Sequence, residues 1–256
     1  MRKLQAEGRY FFTTKDAVLA LKKSTVAVRA SVRRFKSKGF IVSPVRGFHI
    51  IIPPEYQSLG CLPPEQFIPD LMNFLKQPYY VGLLTAAQFH GASHQKPQEF
   101  QVVVPKNRKK IKCGSVLIHF IARQFVKDIP KLDIKTPRGF VAISSPEATA
   151  LDLVSYPQYV GGLNNVVTIL YELLEKMDAQ KMILATQFVS ELSSLQRLGF
   201  LFDSILKKKK FALPLFNVIK KRVKAFVPLV PSASKKGAKP NDKWKILINM
   251  KIEADL

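Results

Sequence analysis

Cysteine is almost missing from this chain. Cys61 and Cys113 stand alone in unrelated contexts, which excludes a disulfide scaffold and a cysteine-rich zinc site. Acidic residues are also scarce, with 18 Asp and Glu against 41 Lys and Arg and a formal charge of +23. A surplus of that size calls for a polyanionic partner, nucleic acid first. No apolar run approaches the roughly 18–20 residues of a membrane span. The first residues, MRKLQAEGRYFF, lack the apolar core and small-residue cleavage site of a signal peptide. The reading is a soluble cytoplasmic protein with no membrane partner. No glycine-rich phosphate loop and no Ser/His/Asp or Cys/His arrangement stands out. We therefore expect no catalytic residue, no cofactor and no metal.

What is present is ordinary globular material. The 256 residues are 47% hydrophobic and 23% charged, enough for a sizeable core and one large or two smaller domains. The charge comes in blocks. Residues 1–56 are basic, 105–138 carry Lys106, Arg108, Lys109 and Lys110, and the region after 205 carries Lys207, Lys208, Lys209 and Lys210. Residues 141–206 are locally acidic. Different faces of the molecule then have different employment.

Residues 13–52 are the most telling stretch. Thr13 or Thr14 can cap a helix with Asp16 near its positive end. Ser24 can cap a second helix, from Thr25 to about Lys38, which Gly39 ends. On that helix Val28, Val32 and Phe35 recur at i, i+4, i+7 and form a core stripe. Arg29, Arg33 and Lys36 repeat at the same spacing, rotated about 100° from it. Thr25, Val26 and Ala30 are small enough for close approach to base edges, and Arg34 adds a further cation. The runs FIVSP and GFHIII around Pro44-Val45-Arg46-Gly47 predict a β-hairpin with one arginine at its tip. Helix, helix, hairpin is the order of a winged helix-turn-helix, whose second helix reads duplex DNA while its cations meet phosphates. The candidate DNA-binding set is Ser24, Thr25, Val26, Arg29, Ala30, Arg33, Arg34, Lys36 and Arg46. Lys106, Arg108, Lys109, Lys110 and Lys207 to Lys210 are candidates for further phosphate contacts.

Residues 53–69, rich in proline, read as a linker or a wrapping strap. The expected division is a winged helix over 1–56, a proline-rich linker over 57–69 and a larger mixed α/β domain over 70–256, α+β overall. Within the larger part, helices are expected at Asp70–Leu75, Tyr80–His90, from Ser145, at Leu163–Met177, Ala179–Leu198 and Phe211–Lys224. Strands are expected at Phe100–Val104, Val116–Ala122, Gly139–Ile143 and Trp244–Ile252.

The stretches PYYVGLLTAAQFHGASHQKPQEFQVVVP and GFVAISSPEATALDLVSYP, behind such an N-terminal unit, resemble the AbiEi-type antitoxins of bacterial abortive-infection systems. The resemblance spans most of residues 10–200. It implies a winged helix that represses its own operon and a larger C-terminal domain needed for antitoxin action. It also implies a nucleotidyltransferase-like toxin encoded alongside, in a type IV toxin–antitoxin system of phage defence where the two proteins need not touch.

Other readings stand beside this one. His90 and His94 have the i, i+4 spacing of metal ligands, but Gly91 intervenes and no third ligand follows, so a packing or capping pair is expected. Asp128, Asp133 and Lys135 faintly suggest a metal-dependent nuclease, which needs convergent carboxylates; the second pair follows IPK, a loop-like context. Glu147 and Asp152 are five apart and do not share a helix face. An adaptor binding a protein through the acidic helices of 141–206 is the third class.

Overall fold

The computed structural model describes residues 1–92 and 97–253. The chain forms two units whose division does not follow chain order. The first comprises Met1–Val81, Gln98–Arg123 and Asp133–Ala142, and the second Gly82–Pro97, Gln124–Leu132 and Ile143–Leu256. Helices and several sheets are mixed throughout, so the class is α+β.

The first unit begins with a short helix α1 (Arg2–Ala6) and strand β1 (Phe11–Thr13). Thr13 then starts α2 (Thr14–Leu21). Its hydroxyl accepts from the Asp16 N–H while the Asp16 carboxylate accepts from the Thr13 N–H, which satisfies two backbone donors the helix itself cannot. Ser24 caps α3 (Thr25–Ser37) by accepting from Ala27 N–H at 3.2 Å. Gly39, at φ 71°, follows the helix end in the left-handed conformation expected of it. Strands β2 (Ile41–Val45) and β3 (Phe48–Ile51) close a hairpin through Arg46-Gly47 and join β1 in an antiparallel sheet of order β1-β3-β2. The expected order helix, helix, hairpin is what the chain forms.

The hairpin shares its core with segments far along the chain. Phe48 and Ile50 are buried with Cys61, Leu62 and Phe67 of the proline-rich segment, with Ile68, Leu71 and Met72 of helix α4 (Ile68–Phe74), and with Val102, Val104, Ile118 and Phe120. Gly114 permits this: a Cβ there would stand 2.2 Å from the Leu59 carbonyl oxygen and 2.7 Å from Gly60 Cα.

The last of those core residues come from a six-stranded sheet. Its strands are β4 (Tyr80–Val81), β5 (Phe100–Val104), β6 (Ile111–Cys113), β7 (Val116–Ala122), β8 (Lys131–Thr136) and β9 (Gly139–Ser144), in the order β6-β7-β5-β4-β9-β8. β5 and β7 run parallel; β4–β5 and β6–β7 are antiparallel. Two expectations are corrected here. Tyr80 and Val81 pair with Val103 and Val102 instead of starting a helix, because aromatic and β-branched residues fit a cross-strand position. Asp133 and Lys135 lie on β8, not in a loop.

The second unit gathers helices α5 (Leu83–Phe89), α6 (Pro146–Ser155), α7 (Leu163–Leu173), α8 (Ala179–Thr186), α9 (Leu192–Phe200) and α10 (Lys209–Ile219). It also holds a small sheet of β10 (Val227–Pro228), β11 (Lys239–Asn241) and β12 (Ile246–Ile248). α6 is its axis, with Pro146 through Val154 all buried, and α5, α7, α8 and α9 pack around it. The single long helix expected over Ala179–Leu198 is broken between Thr186 and Leu192. The Thr186 hydroxyl donates to Ile183 O at 2.7 Å, and Phe188 and Val189 close tighter turns onto Ala185 and Thr186, a local alternative to helical bonding. α7 and α10 end at Leu173 and Ile219, and β12 at Ile248, each short of the expected range. Gln196 and Arg197 of α9 donate to the carbonyls of Trp244, Lys245 and Pro228, tying the small sheet to the bundle. Among the described residues no helix is long and apolar enough to cross a membrane.

Candidate nucleic-acid interface

Helix α3 has one anchored side and one wet side. Val28 is 1% exposed and Val32 half-buried, while Thr25, Val26, Arg29, Ala30, Arg33, Arg34 and Lys36 are exposed. The core stripe is shorter than its spacing suggested. Phe35, its third member, is 40% exposed, its ring 6.5 Å from that of Phe40. Arg46 is exposed at the hairpin tip. Between α3 and the hairpin lies an open cavity of about 460 Å³, lined among others by Arg29, Val32, Lys36, Pro44, Arg46 and His49. The structure thus brings Arg29, Lys36 and Arg46 to one recess and leaves Arg33 and Arg34 exposed on the same helix.

His49 is the member that sequence reasoning missed. It sits in the run FHII of β3, a single polar residue among apolar neighbours, and is buried. Its Nε2 lies 3.0 Å from the Thr14 hydroxyl and its Nδ1 2.8 Å from the Ser43 hydroxyl. Burial, with Lys36 nearby, holds the imidazole below its ordinary pKa, since both disfavour the cation. His49 therefore fixes the start of α2 to the hairpin on which Arg46 stands. A polar residue in an apolar strand was the available signal; its partners come from elements far apart in sequence.

Asp16, also in this region, serves the frame. Burial opposes its ionisation, but the Thr13 N–H and Arg9, whose guanidinium is 2.6 Å away, outweigh that and hold its carboxyl below the usual range.

The other candidate cations divide by what they touch. Lys106 and Lys109 are exposed. Arg108 donates to Gln77 Oε1 at 3.1 Å and lies 5.7 Å from the Phe120 ring centre, and Lys110 pairs with Glu99. Lys207 to Lys210 are all exposed around the start of α10. Cations there oppose the partial positive charge of a helix N-terminus, so helix stability is not what they serve. Lys208 lies 5.7 Å from the Tyr171 ring centre.

Asp133 and Lys135 share a face of β8, both exposed, and Asp128 is a turn residue. Among the described residues no three His, Cys, Asp or Glu side chains are placed to hold a metal. His90 Nε2 donates to Ser144 O at 2.8 Å; His94 lies outside the described residues. Glu147 stands in the first turn of α6, where an acid complements the helix dipole, and it is buried. It is 2% exposed, accepts from the Ser145 hydroxyl at 2.8 Å, and accepts from Asp178 N–H at 2.9 Å, so it joins α6 to the start of α8.

Residues 80–204 match the AbiEi antitoxin C-terminal domain family. The match starts at β4, and the helix–helix–hairpin lies outside it. No curated protein matches the chain. Among solved structures, the crystal structure of the RV2827C protein from Mycobacterium tuberculosis aligns at 16% identity with a TM-score of 0.67. The alignment covers 100% of this chain and 89% of that one, a likeness of fold. The solution structure of the antibiotic-resistance factor ANT(2'')-Ia aligns at 14% identity over 50% of this chain and 91% of that one. Its TM-score of 0.33 is too low to argue a shared fold.

Proposed function

We propose that this chain, whose residues 80–204 match the AbiEi antitoxin C-terminal domain family, is an antitoxin of that type and that residues 1–56 act as a winged helix-turn-helix that reads the operator of its own operon and represses it. The observation that carries this reading is the sidedness of α3. Val28 anchors the helix, and Arg29, Arg33, Arg34 and Lys36 face solvent with the small residues Thr25 and Ala30 between them. Cations on such a face meet phosphates while small side chains let the backbone approach base edges. Ser24 sets where the helix starts, and Arg46 at the tip adds a groove or phosphate contact. Lys106, Lys109 and Lys207 to Lys210 supply further phosphate contacts; Arg108 and Lys110, each already engaged, contribute less.

The antitoxin acts in the cytoplasm as the regulator of an abortive-infection pair that defends against phage, and no reaction is assigned to it. Its functional partner is a nucleotidyltransferase-like toxin, and neutralisation does not require that the two bind directly.

A mobility-shift titration on the DNA upstream of its own gene, repeated over a salt series, tests the reading. Sequence-selective binding is expected, with log K falling against log salt by roughly 0.9 per phosphate contact. Replacing Arg29 and Arg33 together by Ala should weaken operator binding roughly tenfold or more and flatten the salt slope by about 2. Equal affinity for every duplex, or an unchanged double variant, would falsify the assignment of α3.

A further inference from the structure

The basic end of the second unit has a recess that duplex reading does not use. Helix α10 with the residues just after it, and the turn from β11 to β12, enclose about 190 Å³. The walls are apolar: Ile219, Val223, Phe216 and Trp244, the two rings edge to face at 5.4 Å. The rim carries Lys220, Lys243 and Lys245, with Asp242 among them and Asp203 beside Lys243 and the Trp244 indole. Each ammonium is steadied by a neighbour. Lys220 donates to Asn217 at 3.0 Å, Lys243 to Asp203 at 2.7 Å and Lys245 to Asp242 at 3.3 Å. Lys245 holds φ at 51°, a conformation that glycine takes readily and a lysine does not. There its ammonium pairs with Asp242 and lies 4.8 Å from the Phe226 ring centre.

Size and chemistry narrow the occupant. The volume falls below the roughly 300–1,000 Å³ of pockets for drug-sized molecules, so it suits one flat ring. The ring belongs to an anion, because the three ammonium groups at the rim outnumber Asp203 and Asp242 and the chain continues as Lys220-Lys221-Arg222-Val223-Lys224. A duplex keeps its bases stacked inside; a single strand offers them. We propose that this recess holds one unpaired base of a single-stranded nucleic acid, set against Phe216 and Val223, with Lys220, Lys243 and Lys245 on the flanking phosphates. Aromatic walls in a basic groove are how single strands are bound without sequence preference. The site is independent of operator reading by α3, and either can fail while the other stands.

Trp244 is the only tryptophan in the chain, so its fluorescence reports on this recess. The full-length protein is titrated with octathymidylate, octauridylate and a blunt duplex. A saturable change in emission is expected with the single strands and not with the duplex. Phe216→Leu keeps an apolar wall, and Lys245→Gly removes the cation while easing the backbone, so both are expected to fold. Each should weaken single-strand binding about tenfold and leave operator binding unchanged. Single-strand affinity unchanged in both variants, or an equal Trp244 response to duplex, overturns the proposal.

Discussion

Glu147 shows how a buried carboxylate can join two helices. In the run SPEATALDL it takes hydrogen bonds from the Ser145 hydroxyl and the Asp178 N–H while only 2% exposed. Glu147→Ala would strand the Asp178 N–H, and unfolding in denaturant should show a loss of about 3 kcal/mol. A loss under about 0.5 kcal/mol would mean that water replaces the carboxylate. His49 and His90 make a second prediction. Burial holds both imidazoles below their ordinary value, in His90 despite the opposing pull of Ser144 and Glu147. The unfolded chain then binds protons that the folded one refuses. Stability is therefore full above the unfolded histidine value of about 6.5 and is lost as pH falls below it. Thermal melts should drop between about pH 7.5 and 5.5, less steeply in His49→Asn. A flat profile across that range would show that neither ring is buried neutral.

At the level of elements, legibility followed locality. Ser24, Gly39 and the Arg46-Gly47 turn were readable because caps and tight turns are chemistry between near neighbours. The short strands β1, β6 and β8 were not, since their pairing partners lie elsewhere and their own residues alternate weakly. The break between α8 and α9 escaped because apolar periodicity continues across it while Thr186 turns the backbone aside. For the candidate interface, the cations of α3 were legible from spacing, but His49 was not, because Thr14 and Ser43 reach it only in the folded unit. α9 supplies a prediction at this scale. Gly199 lies against Trp244, and a Cβ there would come within 1.9 Å of its ring. Gly199→Ala should cost about 3 kcal/mol or more, measured by denaturant unfolding, with a shifted Trp244 emission maximum. Full stability would mean that α9 slides past the ring.

On the scale of the molecule, the hairpin's core matters most. Phe48 and Ile50 are buried against residues contributed by the proline-rich segment, α4 and the six-stranded sheet. A fragment ending at residue 56 would expose both to water. Circular dichroism of residues 1–56 alone is expected to show little fixed structure, with operator binding weakened about tenfold or more by the ordering cost. A cooperative melt of that fragment would show instead that the three-stranded sheet carries its own core.

The discontinuity of the two units has a consequence for the lifetime of the protein. The chain passes from one unit to the other at residues 81–82, 97–98, 123–124, 132–133 and 142–143. A single protease cut between residues 82 and 142 therefore leaves at least one unit assembled from two separate polypeptides, and no one cut releases both intact. On the function proposed above, such a cut interrupts DNA reading and antitoxin action together.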